Sequence, residues 1–299
     1  MFRRHREKFL AQMAPNSIAV FRSAPRRPMS NDVEYVYRQD SNFYYLTGLE
    51  DPEAIAVFRP GAPDGKRYLL FLRPRDLRRE VYEGPRPDAA DAVSRWGADV
   101  GLSSEEFLAK MSRYDPVSRT FSGYLAGVEK IYLSDAGDET WSRQFRETIE
   151  SMRSREAGPA TIVDARELVH EMRVIKDPDE QALVRRATEI SGKGHVRAMQ
   201  TAAPGRYEFE VQQALDGYCY ANGAVRMAYP SIVGSGPNSV FLHWEKNNRL
   251  MKEGDVLLND SGAEYGFYAT DITRTYPVSG RFTPEQRAIY EIVLDAQKE

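Results

Sequence analysis

Short apolar, β-prone runs alternate with polar, helix-spaced stretches through the first half of the chain. The runs fall at 17–21, 54–58, 68–72, 130–133 and 161–163, and stretches 89–96, 103–111 and 141–152 between them carry helical spacing. Pro60, Gly61, Pro63, Gly65, Gly84, Pro85 and Pro87 punctuate the pattern with turns. The alternation predicts an α/β domain over residues 1–172, with Phe2, Phe9, Leu10 and Met13 on a docked N-terminal helix. At Arg173 the texture changes. Asp177-Pro178-Asp179-Glu180 places proline and acids where a helix starts, and Leu183, Ala187, Ile190, Gly194 and Ala198 follow at three- and four-residue steps. A long amphipathic helix therefore opens a second domain, 173–299. A further helix at 209–220 and strands near Ile232, at 256–258 and at 268–275 come next. A last helix has Thr283 as N-cap and Pro284 at its first position.

Composition narrows the function classes. The net charge of -3 gives no electrostatic reason to expect nucleic acid or anionic lipid as a partner, and no run approaches the about 20 apolar residues of a membrane span. Cys219 is the one cysteine, which excludes a disulfide framework and a thiolate metal cluster and suits a reducing, cytoplasmic compartment. The N-terminal arginines are followed by no apolar run that would make a signal peptide.

Candidate chemistry gathers in the second domain. Residues 256–276 read as two β-prone runs around a turn at 264–267. If that turn centres between Tyr265 and Gly266, Asp260 and Asp271 face each other across a hairpin, where two uncompensated like charges are unfavourable. A pair of divalent cations would neutralise them, since two metals about 3.5–4 Å apart need bridging carboxylates. The alternative is a different register, with both acids solvated or paired to Arg274 or Lys252. His243 falls in a β-prone run at 239–244, where it could bind metal, stabilise an oxyanion or hydrogen-bond in a core. His5, His170 and His195 show no ligand spacing and read as surface or helix residues. The turn 234–239 lacks the ending of a phosphate loop, and neither Ser191 nor Ser231 has a Gly-x-Ser-x-Gly frame.

Taken together, four motifs resemble the aminopeptidase P family, the Xaa-Pro aminopeptidase branch of the pita-bread metallopeptidases. They are Tyr37-Arg-Gln-Asp-Ser-Asn-Phe-Tyr-Tyr-Leu-Thr-Gly48, Val169-His-Glu-Met-Arg-Val-Ile-Lys-Asp-Pro-Asp-Glu180, Ile232-Val-Gly-Ser-Gly-Pro-Asn-Ser-Val-Phe-Leu-His243, and Asn259-Asp-Ser-Gly-Ala-Glu-Tyr265 with Tyr268-Ala-Thr-Asp-Ile-Thr-Arg-Thr275. The resemblance implies a creatinase-like α/β domain with a mixed sheet, then a pita-bread catalytic domain on a curved antiparallel sheet. It further implies hydrolysis of the first peptide bond where proline is second. Asp260 and Asp271 fall on the family's first two metal ligands, His243 on a histidine that binds substrate and steadies the transition state, and Tyr229 and Leu242 on the substrate pocket. Hard oxygen and imidazole ligands imply two Mn2+, with other divalent metals admissible. The family also implies a homodimer or homotetramer. Its remaining ligands, a histidine and two glutamates, are expected beyond Glu299, which leaves the pita-bread domain incomplete and the chain as it stands truncated and inactive. The other readings are a prolidase acting on Xaa-Pro dipeptides, a metal-free creatinase-type hydrolase, and an inactive pita-bread binding protein if the natural chain ends at 299.

Overall fold

The computed structural model describes residues 1–299 and divides into two compact units, Met1–Ile175 and Lys176–Glu299. The first unit begins with α1 (Phe2–Gln12), β1 (Ser17–Arg22), a small hairpin of β2 (Pro28–Ser30) and β3 (Val33–Glu34), and α2 (Ser41–Thr47). Then come β4 (Ile55–Phe58), β5 (Tyr68–Leu72), α3 (Leu77–Glu83), α4 (Ala89–Ser94), β6 (Val100–Ser103) and α5 (Phe107–Met111). A second hairpin, β7 (Arg113–Asp115) with β8 (Thr120–Ser122), precedes β9 (Lys130–Ser134), α6 (Glu139–Arg153), β10 (Thr161–Asp164) and α7 (Arg166–Val174).

Six of these strands form one mixed sheet in the order β10-β9-β1-β4-β5-β6. The pairs β10/β9, β9/β1 and β5/β6 are parallel, while β1/β4 and β4/β5 are antiparallel. Its central strands are apolar along 18–21 of β1 and throughout β4 because both faces are covered. Phe21 and Phe58 face Phe9 of α1 on one side, and Val20, Val57 and Phe71 face Phe107 and Phe145 on the other. The two hairpins and α2, α3 and α7 left little trace in the hydrophobic pattern because they are short. In α2 the start is nonetheless encoded, since Asp40 accepts hydrogen bonds from the N–H groups of Asn42 and Phe43.

The second unit opens with α8 (Pro178–Thr201), whose first turn is closed by a reciprocal cap. Asp177 accepts from the N–H groups of Asp179 and Glu180, and Glu180 accepts from that of Asp177. Next come α9 (Glu208–Ala221), β11 (Arg226–Met227), β12 (Ile232–Ser235), β13 (Val256–Asp260), β14 (Ala263–Tyr265), β15 (Tyr268–Ala269), β16 (Thr273–Pro277) and α10 (Pro284–Lys298). Every strand pairing is antiparallel, in two three-stranded sheets ordered β12-β13-β16 and β11-β14-β15. Ile190, Val211, Leu215, Val233 and Leu257 fill the core between helices and strands. By contrast α10 buries no residue, and its Ile289, Ile292 and Val293 line or flank an apolar groove against β16. No helix is long and apolar enough to cross a membrane.

Residues 239–244 form no strand: a 3₁₀ turn, Gly236–Val240, runs into irregular chain. Pro237 fixes φ and supplies no N–H, and Gly236 sits at φ 51°, so the backbone bends before a ladder can form. His5 and His195 lie on helices, α1 and α8, in line with one of the two readings the sequence allowed. Both are buried, the first stacked on Tyr45 at 3.9 Å and the second against the 261 backbone.

Cys219 lies in the α8–α9 core with no exposed surface, and burial, helped by the nearby Asp216 charge, pushes its thiol up to about 11. At pH 8 the thiolate fraction is then on the order of 10⁻³. Native protein is expected to leave an aromatic disulfide reagent uncut at pH 8 and to release one equivalent after unfolding in guanidinium. A native equivalent would show that the α8–α9 packing opens on the assay timescale.

Candidate metal and substrate site

The hairpin bearing the two aspartates is built around Gly266 and Phe267, one residue further along than the sequence pattern suggested. Tyr265 pairs with Tyr268, and both loop residues have positive φ, 57° and 68°, the geometry of a two-residue type I′ turn. This moves every cross-strand partner by two positions. Asp260 faces Thr273, not Asp271. A shift of two keeps all side chains on their original face, so the aspartates become diagonal neighbours.

That diagonal leaves room for a third group, and Tyr229 fills it. Its hydroxyl oxygen lies 2.5 Å from Asp260 Oδ1 and 3.2 Å from Asp271 Oδ1, so its one proton is offered to either carboxylate. Burial and then the two carboxylates push the phenol far above its ordinary pKa, holding it protonated as a donor. No cationic side chain pairs with either acid. Arg274 turns to its neighbour's carbonyl, Thr273 O, and Lys252 forms no ion pair with either aspartate. The alternative of a salt-bridged pair is therefore not what the fold contains.

The backbone between the aspartates is tied to α8. His195 Nε2 donates to Ser261 O at 3.1 Å, and the Ala263 N–H donates to Ser191 Oγ at 2.9 Å. Burial holds the His195 imidazole below its usual pKa, so it is neutral, and with Nε2 donating, Nδ1 is left as a buried nitrogen without a partner. Its place is behind the carboxylates, supporting their strand. Asp260 is half-buried and Asp271 exposed.

Leu242 and His243 occupy a turn on the segment after β12, both exposed, with Leu242 at 85%. The rings of Phe241 and Trp244, on either side of that turn, stack at 5.8 Å. No hydrogen bond joins His243 to the aspartates. The structure thus brings together Tyr229, Asp260 and Asp271 and holds Leu242 and His243 on a separate turn of the same unit. Tyr229 as a hydrogen-bond partner of the acids was not visible in the sequence, where it read as pocket lining. Its signal is positional: Tyr229 directly precedes the strand whose Ile232 pairs with Asp260.

Residues 2–131 match the aminopeptidase P N-terminal domain, and residues 182–299 match metallopeptidase family M24. The Xaa-Pro aminopeptidase of Escherichia coli is 37% identical over 99% of this chain, which spans 66% of that protein. The structure of proline aminopeptidase P II from Yersinia pestis is 36% identical with a TM-score of 0.89, covering 99% of this chain and 67% of its own. The chain belongs to the aminopeptidase P family. Another aminopeptidase P structure, from Escherichia coli with the inhibitor Pro-Leu, is 38% identical with a TM-score of 0.89 over 98% of this chain. The mixed-sheet unit corresponds to the aminopeptidase P N-terminal domain, and the antiparallel unit to the pita-bread domain. The chain spans about two thirds of the length of the aminopeptidase P relatives it matches.

Proposed function

We propose that this chain carries the first metal-ligand pair and the substrate-facing turn of an Xaa-Pro aminopeptidase, which releases the first residue of peptides with proline second. The observation that supports it most is the pair of diagonal carboxylates with no cationic partner, converging on one tyrosine hydroxyl. Hard, anionic oxygen donors without sulfur suit a divalent cation such as Mn2+. In this reading Asp260 and Asp271 hold two Mn2+ together with ligands from outside these residues. The bound metals supply Lewis-acid polarisation and an activated water.

The chain's own residues do the rest. Tyr229 orients both carboxylates by its hydrogen bond, and its ring with Leu242 offers apolar surface to the proline. After acylation the proline nitrogen has no hydrogen, so selectivity comes from shape and not from a donor contact. His243, exposed on its turn, is free to donate a hydrogen bond to the developing oxyanion. A cytoplasmic homodimer or homotetramer is the form we expect.

The test is made on the protein isolated from its own cells, with its intact mass compared with the 34.0 kDa of residues 1–299. Mn2+-dependent release of the first residue from an Xaa-Pro-Xaa tripeptide supports the proposal. Cleavage of Xaa-Pro dipeptides alone would make it a prolidase. Neither activity from a protein of 34.0 kDa would overturn it in favour of a pita-bread binding protein.

A further inference from the structure

Glu208 opens α9 and is fully buried, yet no arginine or lysine is paired with it. Its carboxylate is satisfied by neutral donors alone. Oε1 accepts from the Ser235 N–H and hydroxyl, both at 2.7 Å, and from Asn238 Nδ2 at 3.1 Å. Oε2 accepts from Trp244 Nε1 at 2.9 Å and the Arg249 N–H at 3.0 Å. The Arg249 guanidinium, close by, is turned to Asp255 and to the Ser235 hydroxyl.

Burying a charge without a counter-charge is costly, so five donors aimed at one carboxylate mark a built arrangement. A carboxylate offers acceptors and no donor at either oxygen, which matches donors arriving at both; a glutamine would point its own N–H₂ at a donor. The five donors come from residues 235, 238, 244 and 249, the two ends and the middle of the segment that carries Leu242 and His243. Asn247 secures the return of that segment through Val233, Gln212 and Ser231. Across 242–246, the Trp244 indole is the one hydrogen-bonded tether to the rest of the unit.

We propose that Glu208 is a positioning residue for His243, acting through Trp244 to fix where the Leu242–His243 turn presents the imidazole. This rests on the reading of His243 as the oxyanion donor. The Trp244 ring is the lever: it adjoins His243 in sequence, stacks on Phe241 across the turn, and ends on a carboxylate that belongs to a helix.

Two readouts test it. In the first, ¹H–¹⁵N spectra of metal-free Met1–Glu299 follow the indole N–H resonances and the His243 ring. Glu208→Gln is expected to move the Trp244 indole and the His243 ring while leaving the Trp96 and Trp141 indoles in place. Trp244→Phe keeps the stacked ring and removes only the N–H, so it is expected to move His243 even if the Glu208 variant does not fold. Unmoved His243 resonances in either folded variant would overturn the proposal. In the second, the Xaa-Pro-Xaa assay on the protein isolated from its cells should show Glu208→Gln lowering kcat about 10²-fold with KM within about twofold. That loss should nearly vanish when His243→Ala is already present. Losses that multiply would overturn it. If the unmodified protein releases nothing, the aminopeptidase reading fails and the spectra alone decide the role of Glu208.

Discussion

Asp260→Asn and Asp271→Asn are each expected to lower metal-dependent release from Xaa-Pro peptides by roughly 10³-fold or more. Metal-supplied charge stabilisation is worth several kcal/mol, and each 1.36 kcal/mol is a decade in rate. The same substitutions should act with the opposite sign on the metal-free protein. The two carboxylates share one tyrosine hydroxyl and no cation, so neutralising either relieves repulsion, and stability should rise by about 0.2–1 kcal/mol. Asparagine keeps an oxygen that can accept from Tyr229, so the hydrogen bond is not what changes. Thermal unfolding with and without Mn2+ reads both signs at once. If the proposed site takes Mn2+, unmodified protein at a hundredfold excess of Mn2+ over Kd should gain about 2.7 kcal/mol, and the variants far less. A Mn2+-induced shift in Asp260→Asn equal to that of the unmodified protein would remove Asp260 from the ligand set.

Gly262→Ala is expected to destabilise the second unit by roughly 3 kcal/mol, at the upper end for overpacking, and to disturb the metal site with it. A β-carbon at 262 would stand 1.8 Å from Thr270 O and 2.5 Å from its carbonyl carbon, both backbone atoms that cannot swing aside. Gly262 lies between Asp260 and Ala263, where the ladder passes from the β13/β16 pair to the β14/β15 pair. Relief of the clash must therefore separate the two segments of the hairpin that carry the aspartates. Gly217→Ala is the contrasting change: it lies within α9, where a β-carbon meets nothing within 4 Å, and a gain of about 0.8–1 kcal/mol is expected. Urea unfolding followed by Trp244 fluorescence, with Trp96 and Trp141 replaced by phenylalanine, measures both. A Gly262→Ala midpoint equal to that of the parent would show that the strand crossing is looser than its contacts indicate.

Long, strongly patterned elements were legible from the sequence. The strand at 68–72 was read with the bounds it has, because both of its faces are covered and it is apolar at every position. The starts of α8 and α10 were legible because a cap is a local interaction: Asp177 with Glu180, and Thr283 with Gln286, lie within one turn. The face shared by Asp260 and Asp271 was also legible, since strand alternation has a period of two and survived an error in register. The partner was not. Centring the turn on Gly266 and Phe267 requires a phenylalanine at positive φ, which local preference disfavours and the surrounding pairing imposes. The β-prone run at 239–244 forms no strand for a related reason: its residues are overruled by the Gly236-Pro237 bend and by the tethers that Glu208 draws from four points of the segment.

The sequence alone determined that the chain has a mixed α/β first half and a helix-led second half, and that two aspartates flank one hairpin turn with a histidine upstream. Those are consequences of periodicity, capping and short-range spacing, which depend on neighbours within a few residues. Tertiary structure alone decided that the aspartates are diagonal, that Tyr229 stands between them, that His195 and Ser191 brace their backbone, and that Glu208 holds the His243 segment. Each of these joins residues roughly 30 to 70 positions apart, or turns on a two-residue loop whose centre sets every pairing beyond it. Such distances close only when helices and sheets pack, because the free energy that fixes them comes from the core they share and not from the local chain.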